Sequence, residues 1–333
     1  MPTIFFIDIA NSSKIRLKSV FFITLKVLAI LILSSCQPTE PVLRVGANNW
    51  VGYAPLFLAQ EIDEYKNTSI KILELPSSSE VIHALKSGNL EVAALTLDEV
   101  LTVIEEGLEL EVILVLDISN GADALLAKPE FHGIKSLKGK KIAVENTAVG
   151  GLLLDQALGS EGVLSSEIEI IGCTFNNHQE CYKNADAVVT FEPAKSQIIK
   201  EGATSLFDSS QMNIKIMDVL AIPKEISNSH PKSLAKLING YFTARKFMRT
   251  NQKGAYRLIA TQNGLSPSEL ALAYEGVLLP DIQEINRILS GSPSPLSVTA
   301  YELAALMVNQ RLLNSKVNVD NLSNSSFIKL NDE

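Results

Sequence analysis

The chain has 333 residues, too many for one ordinary hydrophobic core, so two lobes or domains are expected. It is 46% hydrophobic and 20% charged, the make-up of a globular α/β protein. The formal net charge of −8 argues against a nucleic-acid partner, which would need a basic face.

The first 35 residues read as a signal rather than as part of the fold. Lys14, Arg16, Lys18 and Lys26 precede an apolar core, Val27 to Leu33, and then the small residues Ser34 and Ser35 before Cys36. The apolar run from Val20 to Leu33 is broken by Lys26 and is shorter than the roughly 20 residues that a membrane span needs. Leu33-Ser34-Ser35-Cys36 resembles the bacterial lipobox, which implies that Cys36 becomes the lipidated first residue of the mature protein. Residues 36–41 then form a short linker. The mature chain would be more acidic still, because the signal carries most of its charge as Lys and Arg.

From Val42 the hydrophobic pattern alternates between strand and helix. Leu43–Ala47 reads as a strand, followed by a polar and aromatic loop, Asn48 to Tyr53, and a helix that Pro55 opens. Ile70–Leu75 is a strand, and Ser77 to Glu80 forms a capping box before a helix ending at Gly88. Leu90–Leu95 is a strand. Thr96 to Glu99 is a second capping box, heading a helix that runs to Gly107, and Leu110–Leu116 is the fourth strand. Such strand–helix repeats imply right-handed crossovers and a parallel sheet.

The rhythm breaks at Asp117 to Gly121, which reads as a turn, and Ala122–Ala127 follows as a strand with no helix between. Alternation restarts with strands at Lys141–Val144, Ile168–Cys173 and Ala187–Thr190 and helices at Thr147–Leu158, Glu180–Ala185 and Pro193–Lys200. Val219–Ile222 is a further strand, and the remainder is mostly helical. The expected organisation is α/β with two lobes. Residues 42–128 begin lobe one, 129–216 form lobe two, and 217–333 return to lobe one and add C-terminal helices. Crossings near Ala127 and Asp218 would serve as a hinge.

In open α/β sheets ligands bind beyond the carboxyl ends of the strands. That rule selects Asn48, Asn49, Trp50 and Tyr53 after strand one, Thr96 and Asp98 after strand three, and Ser119 and Asn120 after strand four. From lobe two it selects Glu145, Asn146, Thr147 and Glu192. Several have plainer readings. Thr96 and Thr147 can be helix caps, Asp98 can favour a helix N-terminus, and Asn120-Gly121 is first a turn signal. Asp123, inside a strand, reads as a hinge hydrogen-bonding residue. The candidates include three carboxylates, Asp98, Glu145 and Glu192, and no Lys or Arg, which favours a neutral ligand or one with a basic nitrogen, stacked on Trp50 or Tyr53.

Two cysteines remain beyond Cys36. Cys173 ends a strand and Cys181 falls in the next helix, so in an exported protein they can pair; two buried thiols are the alternative. His178 lies between them, but no fourth ligand has the spacing of a metal site. No catalytic residue or cofactor is expected. The four histidines are scattered, and the common hydrolase, phosphate-loop and metalloprotease motifs are missing from the sequence.

Trp50-x-Gly52-Tyr53-x-Pro55, Ala84-Leu85-x-x-Gly88-x-Leu90-x-Val92-Ala93 and Ser119-Asn120-Gly121-Ala122-Asp123 stand in this order in the chain. Ser136 to Val144 and Asp186 to Pro193 follow. Together, over residues 42–290, they resemble the nitrate/sulfonate/taurine-type substrate-binding proteins of ABC transporters. The resemblance implies a type II periplasmic binding protein fold, two lobes each with a mostly parallel sheet flanked by helices. It also implies a permease and its ATPase subunit as partners, and an exported chain held to a bacterial membrane by the lipid on Cys36, facing the periplasm or exterior. The alternatives are a ligand-sensing lipoprotein coupled to a signalling receptor and an enzyme of the related thiamine-precursor-synthase type. Those enzymes carry a cysteine-rich cluster that this chain lacks, and the early helix here ends in Asp63-Glu64-Tyr65-Lys66-Asn67 rather than Gly-Tyr/Phe-Phe.

Overall fold

A computed structural model describes residues 40–145 and 147–328. Met1–Glu40 and Pro41–Glu333 are separate units, and the second carries the fold described below. The expected lipidation residue Cys36 and the candidate Asn146 lie outside the described residues.

The first half of the body runs β1 (Leu43–Ala47), α1 (Ala54–Glu61), β2 (Ile70–Glu74), α2 (Ser78–Lys86), β3 (Val92–Thr96), α3 (Leu97–Glu105) and β4 (Leu110–Ser119). Next come β5 (Asp123–Ala127), β6 (Lys141–Glu145), α4 (Ala148–Ser160), β7 (Glu169–Cys173), α5 (His178–Asn184), β8 (Ala187–Phe191), α6 (Ala194–Lys200) and β9 (Thr204–Asp208). The remainder is β10 (Met217–Pro223), α7 (Ile226–Ser229), α8 (Pro231–Thr250), α9 (Gln252–Gln262), α10 (Pro267–Tyr274), β11 (Val277–Leu278), α11 (Ile282–Leu289) and α12 (Pro295–Asn309). The capping boxes at Thr96 and Ser266 form as their sequences require, and Ser77 caps α2 by accepting from the Glu80 N–H.

Among the described residues the strands form two sheets. One has the order β11-β4-β10-β3-β1-β2, the other β7-β6-β8-β5-β9. In the first, β1 pairs parallel with β2 and β3, while β10 lies antiparallel between β3 and β4. In the second, β6 pairs parallel with β7 and β8, while β5 is antiparallel to β8 and β9. Each sheet is therefore mostly parallel in direction: β10 and the short edge strand β11 run in reverse in the first, and β5 runs in reverse in the second. Buried along their whole length, β3, β5 and β10 are mostly apolar, with Thr96, Asp123 and Asp218 as their polar positions.

Two boundaries differ from the sequence reading. Asp117 to Ser119 is not a turn but the end of β4, which pairs there with β10 and β11. The first crossing lies between Ser119 and Asp123, not near Ala127, and the strand Asp123–Ala127 belongs to the second sheet. The second crossing runs from β9 to β10, through a short 3-10 turn at Ser209–Gln211. The edge strand β9 and the short β11 escape the sequence reading because they are brief and largely exposed.

A dense polar knot joins the two crossings. The Ser119 and Ser209 hydroxyls are 2.7 Å apart. The Gly121 N–H donates to Ser209 Oγ at 2.7 Å, the Asp123 N–H to Ser119 Oγ at 3.3 Å, and Lys195 Nζ to the Gly121 carbonyl at 2.7 Å. Gly276 packs onto this knot and accepts from the Asn120 N–H. A Cβ at Gly276 would lie 2.6 Å from the backbone nitrogen of Ala122, a contact that only backbone movement relieves. Gly276→Ala should therefore cost about 1–3 kcal/mol. Gly172→Ala, where a Cβ meets nothing within 4 Å, should cost far less. Thermal unfolding of the two variants checks the difference; equal melting temperatures would show that the crossing yields freely.

Candidate functional site

Between the lobes lies a cleft with about 420 Å³ of empty space, part of it open to solvent. Lobe one supplies Asn48, Trp50, Tyr53, Ser78, Thr96 and Glu99. The crossings add Asp123, Ile216 and Asp218, and lobe two adds Glu145, Thr147, Val149 and Phe191. Trp50 of lobe one meets Phe191 of lobe two edge to face, ring centroids 5.9 Å apart, so the lobes touch across the cleft.

Lobe one's wall is one hydrogen-bonded network. Asn48 Nδ2 donates to Ser78 Oγ at 2.9 Å, while Asn48 Oδ1 accepts from the Trp50 N–H at 3.2 Å. Glu99 closes the Thr96 capping box by accepting from the Thr96 N–H at 2.9 Å, and it also bonds the Ser78 hydroxyl. Burial pushes the Glu99 carboxyl above its ordinary range.

The loop after β1 is fastened to the strands at the lobe crossings by two carboxyl groups. Asp218 stands opposite both Thr96 and Asp117 in the sheet register, so the Asp117 and Asp218 side chains share one face. They are hydrogen-bonded to each other. Trp50 Nε1–H donates to Asp117, 3.2 Å from its nearer oxygen, and the Tyr53 hydroxyl donates to Asp218. Burial drives both carboxyls upward, Asp218 further because the Asp117 charge adds to it. A proton held between them would turn their mutual repulsion into attraction. Gly52 makes the arrangement possible: a Cβ there would sit 1.9 Å from Asp117 Oδ2 and 2.5 Å from Trp50 Nε1.

Lobe two's wall ends β6 and opens α4. Glu145 is half-buried, and burial with the Glu99 charge pushes its carboxyl up to about 7. Thr147 caps α4 by accepting from the Gly150 N–H at 3.4 Å and also lines the cleft. Behind this wall the cavity continues between Asp123, Glu145, Thr147, Val189, Phe191 and His178. Cys173 and Cys181 form a disulfide, Cα atoms 6.0 Å apart, and His178 lies inside the loop it closes.

Of the sequence candidates, Asn48, Trp50, Tyr53, Thr96, Glu145 and Thr147 line the cleft. The others are placed elsewhere. Asn49 is half-buried outside the lining, and Ser119 and Asn120 belong to the crossing knot. Asp98 is sealed in the first turn of α3, where burial and the Glu99 charge hold its carboxyl high. Glu192 turns back on lobe two, its carboxylate accepting from the Ser196 N–H and hydroxyl. Ser78, Glu99, Asp123, Val149, Phe191, Ile216 and Asp218 also line the cleft and were not selected. Ser78 and Glu99 were read only as parts of capping boxes, and Asp123 and Asp218 only as hinge residues.

The lining is acidic. Glu99, Asp123, Glu145 and Asp218 face it, and among the described residues no Lys or Arg does. Lys195 comes within 3.6 Å of Glu192 but spends its ammonium on the Gly121 carbonyl. Among the described residues no group of His, Cys, Asp and Glu is placed to hold a metal ion, and no helix is long and apolar enough to cross a membrane.

Two sheets flanked by helices, joined by two crossings around a cleft, make this a periplasmic binding protein fold. Residues 50–263 match the model of the family described as NMT1/THI5 like, and the chain belongs to that family. The chain is similar in fold to the periplasmic aliphatic sulphonate binding protein SsuA from Escherichia coli, with a TM-score of 0.71 at 17% identity. That match covers 86% of this chain and 92% of the other. The alkanesulfonate-binding protein SsuA from Xanthomonas axonopodis pv. citri, bound to MOPS, gives a TM-score of 0.70 at 18% identity over 84% of this chain and 97% of its own. A ligand-binding component of an ABC-type import system from Staphylococcus aureus, with zinc bound, gives 0.72 at 12% identity, covering 87% and 99%. No curated protein matches the chain in sequence.

Asp123 gives the site a pH signature. Burial pushes its carboxyl up to about 6, against the pull of the Ser119 hydroxyl and Lys195. The folded chain therefore keeps a proton here that the unfolded chain has already lost, and this contribution to stability fades as pH rises from about 4 through 6. Asp123→Asn removes the term. Its stability relative to the native chain should rise by on the order of 2 kcal/mol between pH 4 and pH 7. Urea unfolding across that range checks this; a difference independent of pH would show that Asp123 is solvated as a normal carboxylate.

Proposed function

We propose that this protein is the solute-binding component of an ABC importer. It would be exported, tethered by a lipid on Cys36, and would close its two lobes on a small polar or nitrogen-bearing molecule before delivering it to the permease. The observation that carries the reading is the cleft: a small cavity between hinged lobes, with an aromatic from each lobe meeting across it. Family membership and the likeness to binding proteins support it. A disulfide within lobe two suits an oxidising compartment.

The chemistry of the cleft sets it apart from a sulfonate site. An anion buried without a cation would face four carboxyl groups, whereas a protonated nitrogen would be held by them. The chain's fold also serves catalysis in DszB, an enzyme. Binding is favoured here because the polar atoms of Asn48, Trp50 and Tyr53 are committed to holding the wall, leaving ring faces rather than reactive groups toward the ligand.

Trp50 is the only tryptophan in the chain, so its fluorescence reports on the cleft directly. Titration with amines, pyrimidines and sulfonates should give saturable changes with the nitrogen-bearing compounds. Tight binding by a sulfonate alone would overturn the preferred ligand class. Trp50→Ala should weaken binding at least about tenfold, read by calorimetry, while the circular dichroism spectrum stays native. Loss of the native spectrum would instead make Trp50 a core residue first.

A further inference from the structure

The closed end of the cleft holds a buried, unpartnered nitrogen. His178 is 2% exposed. Its Nδ1 lies 3.0 Å from Thr190 Oγ1, and its ring meets Phe191 edge to face with centroids 4.9 Å apart. Its Nε2 has no hydrogen-bond partner among the described residues. A polar group left unpaired in the interior is destabilising, so an unmatched Nε2 needs an account.

The geometry around it supplies one. Nε2 faces Glu145 Oε2 at 3.9 Å, too far for a hydrogen bond between them. A third atom placed ~2.9 Å from each would see the two about 85° apart, within reach of two hydrogens on one tetrahedral nitrogen. The cavity that His178 and Glu145 line narrows to room for about one water-sized group, enough for an amino nitrogen but not for the three oxygens of a sulfonate. The ring is held in place on several sides. The disulfide closes the loop that carries it, Thr190 fixes one nitrogen, and Phe191 braces the face.

We propose that Glu145 and His178 form a seat for a single amino or ammonium nitrogen of the ligand, with the rest of the molecule lying toward Phe191 and Trp50. The seat rests on the reading of the cleft as a solute site and names the end at which the ligand's nitrogen is recognised. When Nδ1–H donates to Thr190, Nε2 is left as a bare acceptor, and Glu145 supplies the charge. Burial holds the imidazole neutral, pushing it down to about 4, so it does not repel an ammonium. A neutral acceptor beside a carboxylate selects a group with at least two hydrogens to donate. A quaternary ammonium or a hydroxyl satisfies only part of it.

Three probes test the seat: benzylamine, benzyl alcohol and benzenesulfonate, which share a ring and differ in the polar group. Binding is followed by Trp50 fluorescence and calorimetry on the native chain, Glu145→Gln and His178→Phe. The native chain should prefer benzylamine to benzyl alcohol by about tenfold or more, as expected for charge-assisted hydrogen bonds. Glu145→Gln should abolish that preference and His178→Phe should reduce it severalfold. Should His178→Phe misfold, the imidazole nitrogen resonances of the native chain decide: benzylamine at saturation should shift the His178 Nε2 signal, and by more than benzyl alcohol does. Equal benzylamine affinity in all three proteins, or an unmoved Nε2 signal at saturation, overturns the seat while leaving the importer reading in place. A native chain that binds benzenesulfonate and not benzylamine overturns both the seat and the preference for nitrogen-bearing ligands. A structure of the benzylamine complex with only a water between Glu145 and His178 likewise overturns it.

Discussion

The site depends on a pair of buried carboxyl groups that face each other across two strands. Asp117 and Asp218 sit side by side on antiparallel strands of the larger sheet, both fully buried, where two full charges would repel strongly. Protonation of one partner turns repulsion into a hydrogen bond. The remaining acceptor capacity is then used to hold the Trp50 indole N–H and is complemented by the Tyr53 hydroxyl. Without this pair the loop after β1 would have no anchor on the hinge. Its aromatics could not present a fixed surface to lobe two. Gly52 belongs to the same device, since any side chain there would occupy the space in which Trp50 and Asp117 meet.

The acid pair also links recognition to closure. Asp218 begins the strand that returns from lobe two, and Asp117 lies near the end of the strand that departs toward it. Both crossings therefore pass close to the loop that lines the cleft. The serine knot at Ser119 and Ser209 fastens the same two crossings a few residues on. A change in the angle between lobes must work through these bonds, and a ligand bridging Trp50 and Phe191 would bias them toward the closed arrangement. A hinge made of hydrogen-bonded strand ends rather than loose loop restricts the motion to a few backbone angles.

The lining of the cleft is acidic. Most of the cleft's carboxyls sit above their ordinary range because burial outweighs the bonds that would hold them charged. A cation entering the cleft would reverse that balance by pairing with them. The same scaffold, in the sulfonate-binding proteins it resembles, serves an anion; which sign is accepted rests on a handful of side chains at strand ends.

The sequence by itself determined the α/β alternation, the helix starts and the loop that carries Trp50 and Tyr53. These follow from local rules: apolar period, capping boxes at Thr96 and Ser266, and proline at a first helical turn. The rule that ligands meet strand ends found Asn48, Thr96, Glu145 and Thr147 for the same reason, since strand ends are visible in the pattern. Only the tertiary structure could decide which polar groups were already spent. Ser119 looked like a ligand contact until its partner, Ser209, came from a segment folded against it, whereas Glu192 is taken up locally by Ser196, four residues on at the start of α6. Glu99, read as a cap, also faces the cleft, and Asp218 entered the site because β10 runs back between β3 and β4, a pairing made 120 residues away from the first. His178 could be noticed only once the chain had folded around it. An unpaired nitrogen is a property of everything that surrounds it, and no local pattern records that.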